Sequence, residues 1–367
     1  MSNLFKDRFS PSFYDKFCND LTIVSPTFDS PKFIQLIFDN DWKTRELKQR
    51  MRHTSTVLHI FMPNDFLKAA DIICNLIAYY QTEGIKEDEI EYCFLPDYIE
   101  QFGIEHYDTS VRAIEIVTQF TSCEFAVRPF IIKYGDKMIK QMLRWSKHKN
   151  EKVRRLSSEG IRPRLPWAMA LPSLKKNPEP ILPILENLKT DTSENVRRSV
   201  ANNLNDISKD NPDFVVSIAK KWKGLSKEID WIIKHGSRTL LKQGNTKTLS
   251  HFGLNNGSYI KLSNFKLLTP TVKIGEDLIF SFSLKNSYKK KQTIRLEYGL
   301  YYRKANGQLS KKVFKISERE YEPTEIVNHK RKQSFRVITT RKFYSGKHKI
   351  SIISNGKEHN AIEFNLI

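Results

Sequence analysis

The sequence predicts a multidomain chain, an all-α repeat solenoid over residues 1–250 followed by an all-β sandwich over residues 251–367. Three observations predict it. Apolar residues fall at spacings of three and four through the first part, a short segment recurs there at intervals of 42 and 43 residues, and after Gly244 the apolar period becomes two. The 367 residues, 39% hydrophobic and 28% charged, exclude a disordered chain, a collagen-like repeat and a disulfide miniprotein. Cys18, Cys74, Cys93 and Cys123 are too few and too scattered for a disulfide framework, and no CxxC or His/Cys cluster offers a metal site. The N-terminus lacks the apolar core of a signal peptide, and nowhere do 18 apolar residues run together. A soluble cytoplasmic protein without a membrane partner is therefore expected.

The helical reading rests on segments such as SPKFIQLIFDNDW, NDFLKAADIICNLIAYYQTEG and PEPILPILENLKT, with Pro and Gly falling at their ends. The recurring unit is Val111-Arg112-Ala113, Val153-Arg154-Arg155 and Val196-Arg197-Arg198. In the last two, an apolar residue, Trp145 or Leu188, stands eight positions before the valine, across a polar turn. That period belongs to HEAT or armadillo units, whose helices stack because no single repeat can bury its own apolar face. Beyond the turn-rich KTLSHFGLNNGSY, segments such as TVKIGEDLIFSFSLKN and KQTIRLEYGLYYRK alternate apolar with polar residues and are rich in β-branched and aromatic side chains. About seven strands in roughly 110 residues indicate an immunoglobulin-like sandwich.

The formal net charge is +20, and it is unevenly placed. Residues 1–110 carry 11 basic and 18 acidic groups, residues 111–250 carry 27 and 14, and residues 251–367 carry 23 and 9. A positive field over the middle and end of the chain attracts polyphosphate chains such as nucleic acid, or an anionic membrane surface. No GxGxxG, GxxxxGK[ST], GxSxG or HExxH occurs, so nucleotide-binding, serine-hydrolase and zinc-protease chemistry lack their usual supports. What remains is a set of carboxylates among arginines. In FTSCEFAVRPFI, Glu124 stands four positions before Arg128, which fits either an intrahelical ion pair or a site acid. NEKVRRLSSEGIRPRLPWAMALP gathers Arg154, Arg155, Arg162, Arg164 and Trp167, either a solvated basic turn or a phosphate-binding lip beside an aromatic. SENVRRSVANNLNDISKDNPDF puts a capping Ser193, preceded by Asp191, before Asn202, Asn203, Asn205 and Asp206 in what reads as a helix interior. Asn and Asp disfavour that setting unless their polar groups have a task.

On EFAVRPFI, VRRLSSEGIRPRLPWA and VRRSVANNLNDISKDNPD, over roughly residues 1–250, the chain resembles the AlkC branch of the AlkC/AlkD DNA alkylation-repair glycosylases. An immunoglobulin-like module after the helical repeats also occurs in that branch. The resemblance implies a HEAT-like fold that hydrolyses the N-glycosidic bond of cationic N-methylated bases (3-methyladenine, 3-methylcytosine and 1-methyladenine) during base excision repair. It implies no metal or other cofactor, a double-stranded DNA partner carrying alkylated bases, and a monomer. Carried across, the catalytic acids fall on Glu124 and Asp206, facing each other across the groove. The DNA-contacting arginine falls on Arg155, with Arg154 and Arg198 as neighbouring alternatives, and the cleft aromatic on Trp167. Arg162 joins the phosphate-binding lip. Arg238 stands where AlkD-like relatives carry a tryptophan. The competing expectations are a non-catalytic HEAT-repeat binder of DNA structure and a protein-interaction scaffold.

Overall fold

In the computed structural model, residues 4–254, 257–338 and 341–367 are described. The chain divides into two compact units, one comprising Met1–Val215 with Lys221–Gly236, the other Val216–Lys220 with Ser237–Ile367. Sixteen α-helices among the described residues precede nine strands. No helix among them is long and apolar enough to cross a membrane.

The helical unit repeats as the spacing requires. The second arms of successive repeats are helices Tyr107–Val117, Glu151–Glu159 and Glu194–Ile207, and these carry Val111, Val153 and Val196. Val153 and Val196 are fully buried, as are Trp145 and Leu188 eight positions earlier, whereas Val111 is half-buried. The first arginine of each VRR has the same structural task in both copies. Arg154 Nη1 donates to the carbonyls of His148 and Lys149, and Arg197 Nη1 to those of Asp191 and Thr192, six and five residues back in each case. The inter-helix turn is thus tied to the helix that follows it. Ser193 takes the N-cap position of helix Glu194–Ile207, but its hydroxyl makes no cap bond; Asp191 Oδ1 instead accepts from the Ser193 N–H at 2.9 Å. Helix Glu194–Ile207 packs between helices Glu151–Glu159 and Lys227–Gly236. Its approach to the latter is close: a Cβ on Gly236 would lie 2.8 Å from Leu204 Cβ. The cysteines are free, with Cys18, Cys74 and Cys123 buried and Cys93 half-buried.

In the second unit, KTLSH is not a turn. It forms helix Thr246–His251, because Asn245 Oδ1 caps it by accepting from Thr248 N at 2.9 Å. The strands are β1 (Ile260–Leu267), β2 (Thr271–Val272), β3 (Asp277–Asn286), β4 (Gln292–Arg303), β5 (Leu309–Tyr321), β6 (Ile326–Ser334), β7 (Gly346–Ser354), β8 (Lys357–Glu358) and β9 (Ile362–Leu366). They form a three-stranded sheet, β1-β3-β6, and a six-stranded one, β2-β9-β7-β4-β5 with β8 on β7. All pairings are antiparallel except β2 with β9. Phe280, Phe282, Leu284, Leu296, Leu300, Ile350 and Phe364 fill the space between the sheets. The two shortest strands, β2 and β8, account for the excess over the seven expected.

Candidate active site

A cleft of about 840 Å³ opens on the helical unit. One wall comes from the turn before helix Val127–Tyr134, from helix Glu151–Glu159 and from the loop after it, and brings in Glu124, Phe125, Arg155, Glu159, Arg162, Pro166 and Trp167. The facing wall comes from helices Leu47–Phe61 and Phe94–Phe102.

Glu124 lies ahead of helix Val127–Tyr134 rather than inside it, so it makes no pair with Arg128 along one helix face. Its Oε2 accepts from Arg155 Nη2 at 3.1 Å and from Ser122 Oγ at 3.2 Å. Both members of this ion pair keep some exposure, 21% for the Glu124 side chain and 35% for Arg155. A water or a substrate can therefore reach the carboxylate.

Behind them lies a denser group. Glu159 Oε1 accepts from Arg162 Nη1, and its Oε2 accepts from Ser199 Oγ at 2.6 Å. Arg162 Nε donates to Asp206 Oδ2 at 2.8 Å, and Lys209 Nζ donates to Asp206 Oδ1 at 2.9 Å. Asp206 is only 2% exposed, does not line the cleft and has both oxygens engaged, so it stands behind Arg162 instead of facing Glu124 across open space. Glu159, 5% exposed and with both oxygens bonded, is the acid of this group that lines the cleft. The polar run in helix Glu194–Ile207 does have a use: Ser199 and Asn203 bind Glu159 and the Ser158 carbonyl of the preceding repeat, and Asp206 binds Arg162.

Beneath these acids, Arg128 is fully buried. Its Nη1 donates to the carbonyls of Gly160 and Arg162, both at 2.9 Å, and its Nε to that of Met169 at 2.7 Å. Burial and the neighbouring Arg162 push its pKa down to about 10. Arg128 is thus a strut that shapes the loop carrying Arg162 and Trp167. Gly160 is needed at the start of that loop, since a Cβ there would come within 2.6 Å of Val127 Cγ2. The loop ends in a turn, Leu165-Pro166-Trp167-Ala168, closed by Ala168 N donating to Leu165 O at 3.3 Å. Pro166 suits its second position, but the third demands a left-handed backbone, and Trp167 adopts φ +65° there. For a bulky residue that costs about 1–2 kcal/mol. Trp167 is 69% exposed and lines the cleft.

The other expected arginines are placed differently. Arg154 is held by Asp191, with Nε to Oδ2 at 2.6 Å and Nη2 to Oδ1 at 3.0 Å, and serves as an inter-repeat tie. Arg198 is exposed, pairs with Glu194 one turn back and does not line the cleft. Arg238 begins helix Arg238–Lys242 and belongs to the second unit. Arg164, exposed, pairs with Asp210 through two bonds of 2.8 and 2.6 Å.

The facing wall was not singled out from sequence. Asp97 Oδ2 accepts from Ser55 Oγ and from Gln101 Nε2, while Arg52 Nη2 lies 2.9 Å from Asp97 Oδ1 and 2.8 Å from Glu100 Oε1. Burial raises the pKa of both carboxyls despite Arg52. Lys152 also lines the cleft, and its ammonium meets Glu87 at 2.6 Å and Asp88 at 2.9 Å. Burial alone would lower its pKa, but these bonds outweigh it and raise the value. No group of three or more His, Cys, Asp or Glu residues suited to a metal ion occurs among the described residues.

In the β-containing unit the basic residues divide. Lys291 is paired with Glu320, Lys311 with Glu358 and Lys332 with Asp277. For Lys312, desolvation and then the fields of Arg341 and Lys242 lower the pKa. Arg341 covers the Tyr302 ring at 4.2 Å. Like charges gathered in this way suit a polyanion.

Residues 101–238 match the model of the DNA alkylation repair enzyme family, and residues 261–367 match that of the "Uncharacterised protein YhaZ, C-terminal Ig-like domain". The chain is 43% identical over 340 residues to the "Uncharacterized protein YhaZ" of Bacillus subtilis strain 168, covering 92% of each. It is 32% identical to the Pseudomonas fluorescens alkylpurine DNA glycosylase AlkC, solved bound to DNA containing an abasic site analog, with all of each chain covered and a TM-score of 0.92.

Proposed function

Because the chain belongs to the AlkC-type family of DNA alkylation repair glycosylases, we propose that it removes cationic N-methylated bases, 3-methyladenine and 3-methylcytosine foremost and 1-methyladenine as a further candidate, from duplex DNA by hydrolysis. The observation that carries this reading is the solvent-reachable Glu124 carboxylate, paired with Arg155 and set beside Glu159 in one cleft.

Methylation places a positive charge on the base, so the leaving group is activated without a general acid, unlike an ordinary glycoside. As the bond from C1′ to the base nitrogen breaks, its electron pair goes to the base and neutralises it. Positive charge then develops on the deoxyribose. Glu124 and Glu159 face that charge in a partly dehydrated cleft, where fixed carboxylates act far more strongly than in water. Water supplies the oxygen that bonds to C1′, and Glu124 takes the proton it loses. Asp206, enclosed with Arg162, is assigned a supporting role: it fixes the guanidinium that in turn orients Glu159.

Arg155 and the indole of Trp167 are assigned to the DNA, the former to a phosphate flanking the lesion and the latter to its sugar or base. Lys312 and Arg341 of the immunoglobulin-like module are assigned to a second phosphate contact, on the mutual repulsion that lowers the Lys312 pKa. Lys152 is held as an ammonium by Glu87 and Asp88, which speaks against this lysine as a nucleophile; the reading takes water as the nucleophile and the enzyme as monofunctional. The reading takes the protein to act as a cytoplasmic monomer without a cofactor.

The test is to incubate purified protein with methylated duplex DNA and separate the released bases by chromatography. Free 3-methyladenine or 3-methylcytosine is expected, with no borohydride-trapped protein–DNA adduct. Tight DNA binding without base release would overturn the proposal in favour of a non-catalytic binder.

A further inference from the structure

The family match to the helical unit begins at residue 101, yet the far wall of the cleft is built from earlier residues. One of them crosses the opening. Lys48, on helix Leu47–Phe61, donates from Nζ to the main-chain carbonyl of Trp167, 119 positions away. The same ammonium lies 5.2 Å from the centroid of the Phe125 ring, immediately after Glu124.

We propose that Lys48 is a positioning residue that acts through Trp167, an inference that rests on the glycosylase reading above. A left-handed backbone at a bulky residue persists only where its surroundings over-determine it. The flanks of the turn are held by the Ala168-to-Leu165 bond and by the grip of Arg128 on the Met169 carbonyl. Neither orients the Trp167 carbonyl itself; Lys48 does. With that bond lost, the backbone at Trp167 is free to relax toward negative φ, and the indole is carried away from the cleft. The ammonium is kept in place by the face of Phe125 and by the field of Asp97 and Glu100 on the neighbouring helix. The helical layer before residue 101 thereby sets the position of the cleft aromatic.

The alternative use of an exposed lysine here is a direct bond to a DNA phosphate, and a double-mutant cycle separates the two. Full-length Lys48→Met, Lys48→Arg, Trp167→Gly and Lys48→Met/Trp167→Gly are compared. The readouts are single-turnover release of 3-methyladenine, DNA affinity as a function of salt, and acrylamide quenching of tryptophan fluorescence in the DNA-free protein. Lys48→Met is expected to slow release on the order of tenfold and to alter quenching. Lys48→Arg should restore most of the rate, the salt slope should be unchanged, and nothing should be lost beyond Trp167→Gly alone. A fall of about one in the salt slope in both backgrounds would mark a phosphate contact and overturn the proposal. Additive losses, or no change in quenching, would overturn it as well. If the parent protein released no base, the glycosylase reading would fail, while quenching and the binding cycle would still decide whether Lys48 acts through Trp167.

Discussion

Arg155 Nη2 stands 3.1 Å from Glu124 Oε2, joining two segments 31 residues apart at the opening of the cleft. The pair couples a cation suited to a phosphate with an anion suited to a developing sugar cation, so the two charges can be separated by substitution. Glu124→Gln keeps the shape and removes the charge. Single-turnover excision should fall by about 10²- to 10³-fold while DNA affinity changes little. Arg155→Ala should instead weaken binding and lower its salt slope by about one. Equal losses of rate and affinity in Glu124→Gln would contradict the assignment.

Arg128 satisfies three carbonyls of the loop after helix Glu151–Glu159. Arg128→Met strands these acceptors and leaves the buried acids around Arg162 short of a countercharge. A loss of about 3 kcal/mol or more is expected in urea unfolding, with early proteolysis in residues 160–169. A variant as stable as the parent would show that the strut is dispensable.

Glu186 gives the helical unit a pH dependence. Burial would raise its carboxyl, but donation from Lys189, Lys221 Nζ (2.9 Å) and Trp222 Nε1 (3.0 Å) outweighs that and holds it at about 2, against an ordinary 4.5. A carboxyl depressed in the folded state stabilises above its unfolded pKa, and that contribution is lost as pH falls from about 4.5 toward 2. With solvent-accessible partners it amounts to roughly 1 kcal/mol. Glu186→Gln should therefore lower the unfolding midpoint at pH 7 and lower it much less near pH 2. Identical midpoint shifts at both pH values would refute the linkage.

For the Lys312 and Arg341 cluster, the double variant Lys312→Ala/Arg341→Ala should reduce the salt slope of DNA binding by about two and leave the single-turnover rate at saturation unchanged. An unaltered slope would remove this unit from the DNA contact.

Much of the architecture was legible in the chain because it follows from local periodicity. Stacked helices follow from apolar spacing, and the repeat from Val153-Arg154-Arg155 and Val196-Arg197-Arg198, whose first arginines tie equivalent turns. The sandwich follows from the alternation after Gly244, although β2 and β8, at two residues each, are too short to show any period. Helix Thr246–His251 was missed because a single capping Asn245 outweighs a turn-rich composition.

The acids and arginines of the site were visible as types and near neighbours, and their partners were not. Glu159 sat in plain view in LSSEG, but nothing local distinguishes it from a surface glutamate; contact with Ser199 of the next repeat does. Asp206 was legible as a polar residue with a task, yet only packing shows that Arg162 encloses it. Lys48, Asp97 and Glu100 come from the acidic first third of the chain, which carried no site signal at all.

Residue order by itself determined which segments become helix or strand, where the repeat recurs and on which stretches positive charge accumulates. These depend on spacing and composition over a few turns of chain. Tertiary structure alone decided which carboxylate meets solvent, which arginine is a strut and which lies at the cleft paired with Glu124, and that a lysine near the N-terminus reaches Trp167. Desolvation and pairing depend on groups that are distant in sequence and become neighbours only when the helices stack.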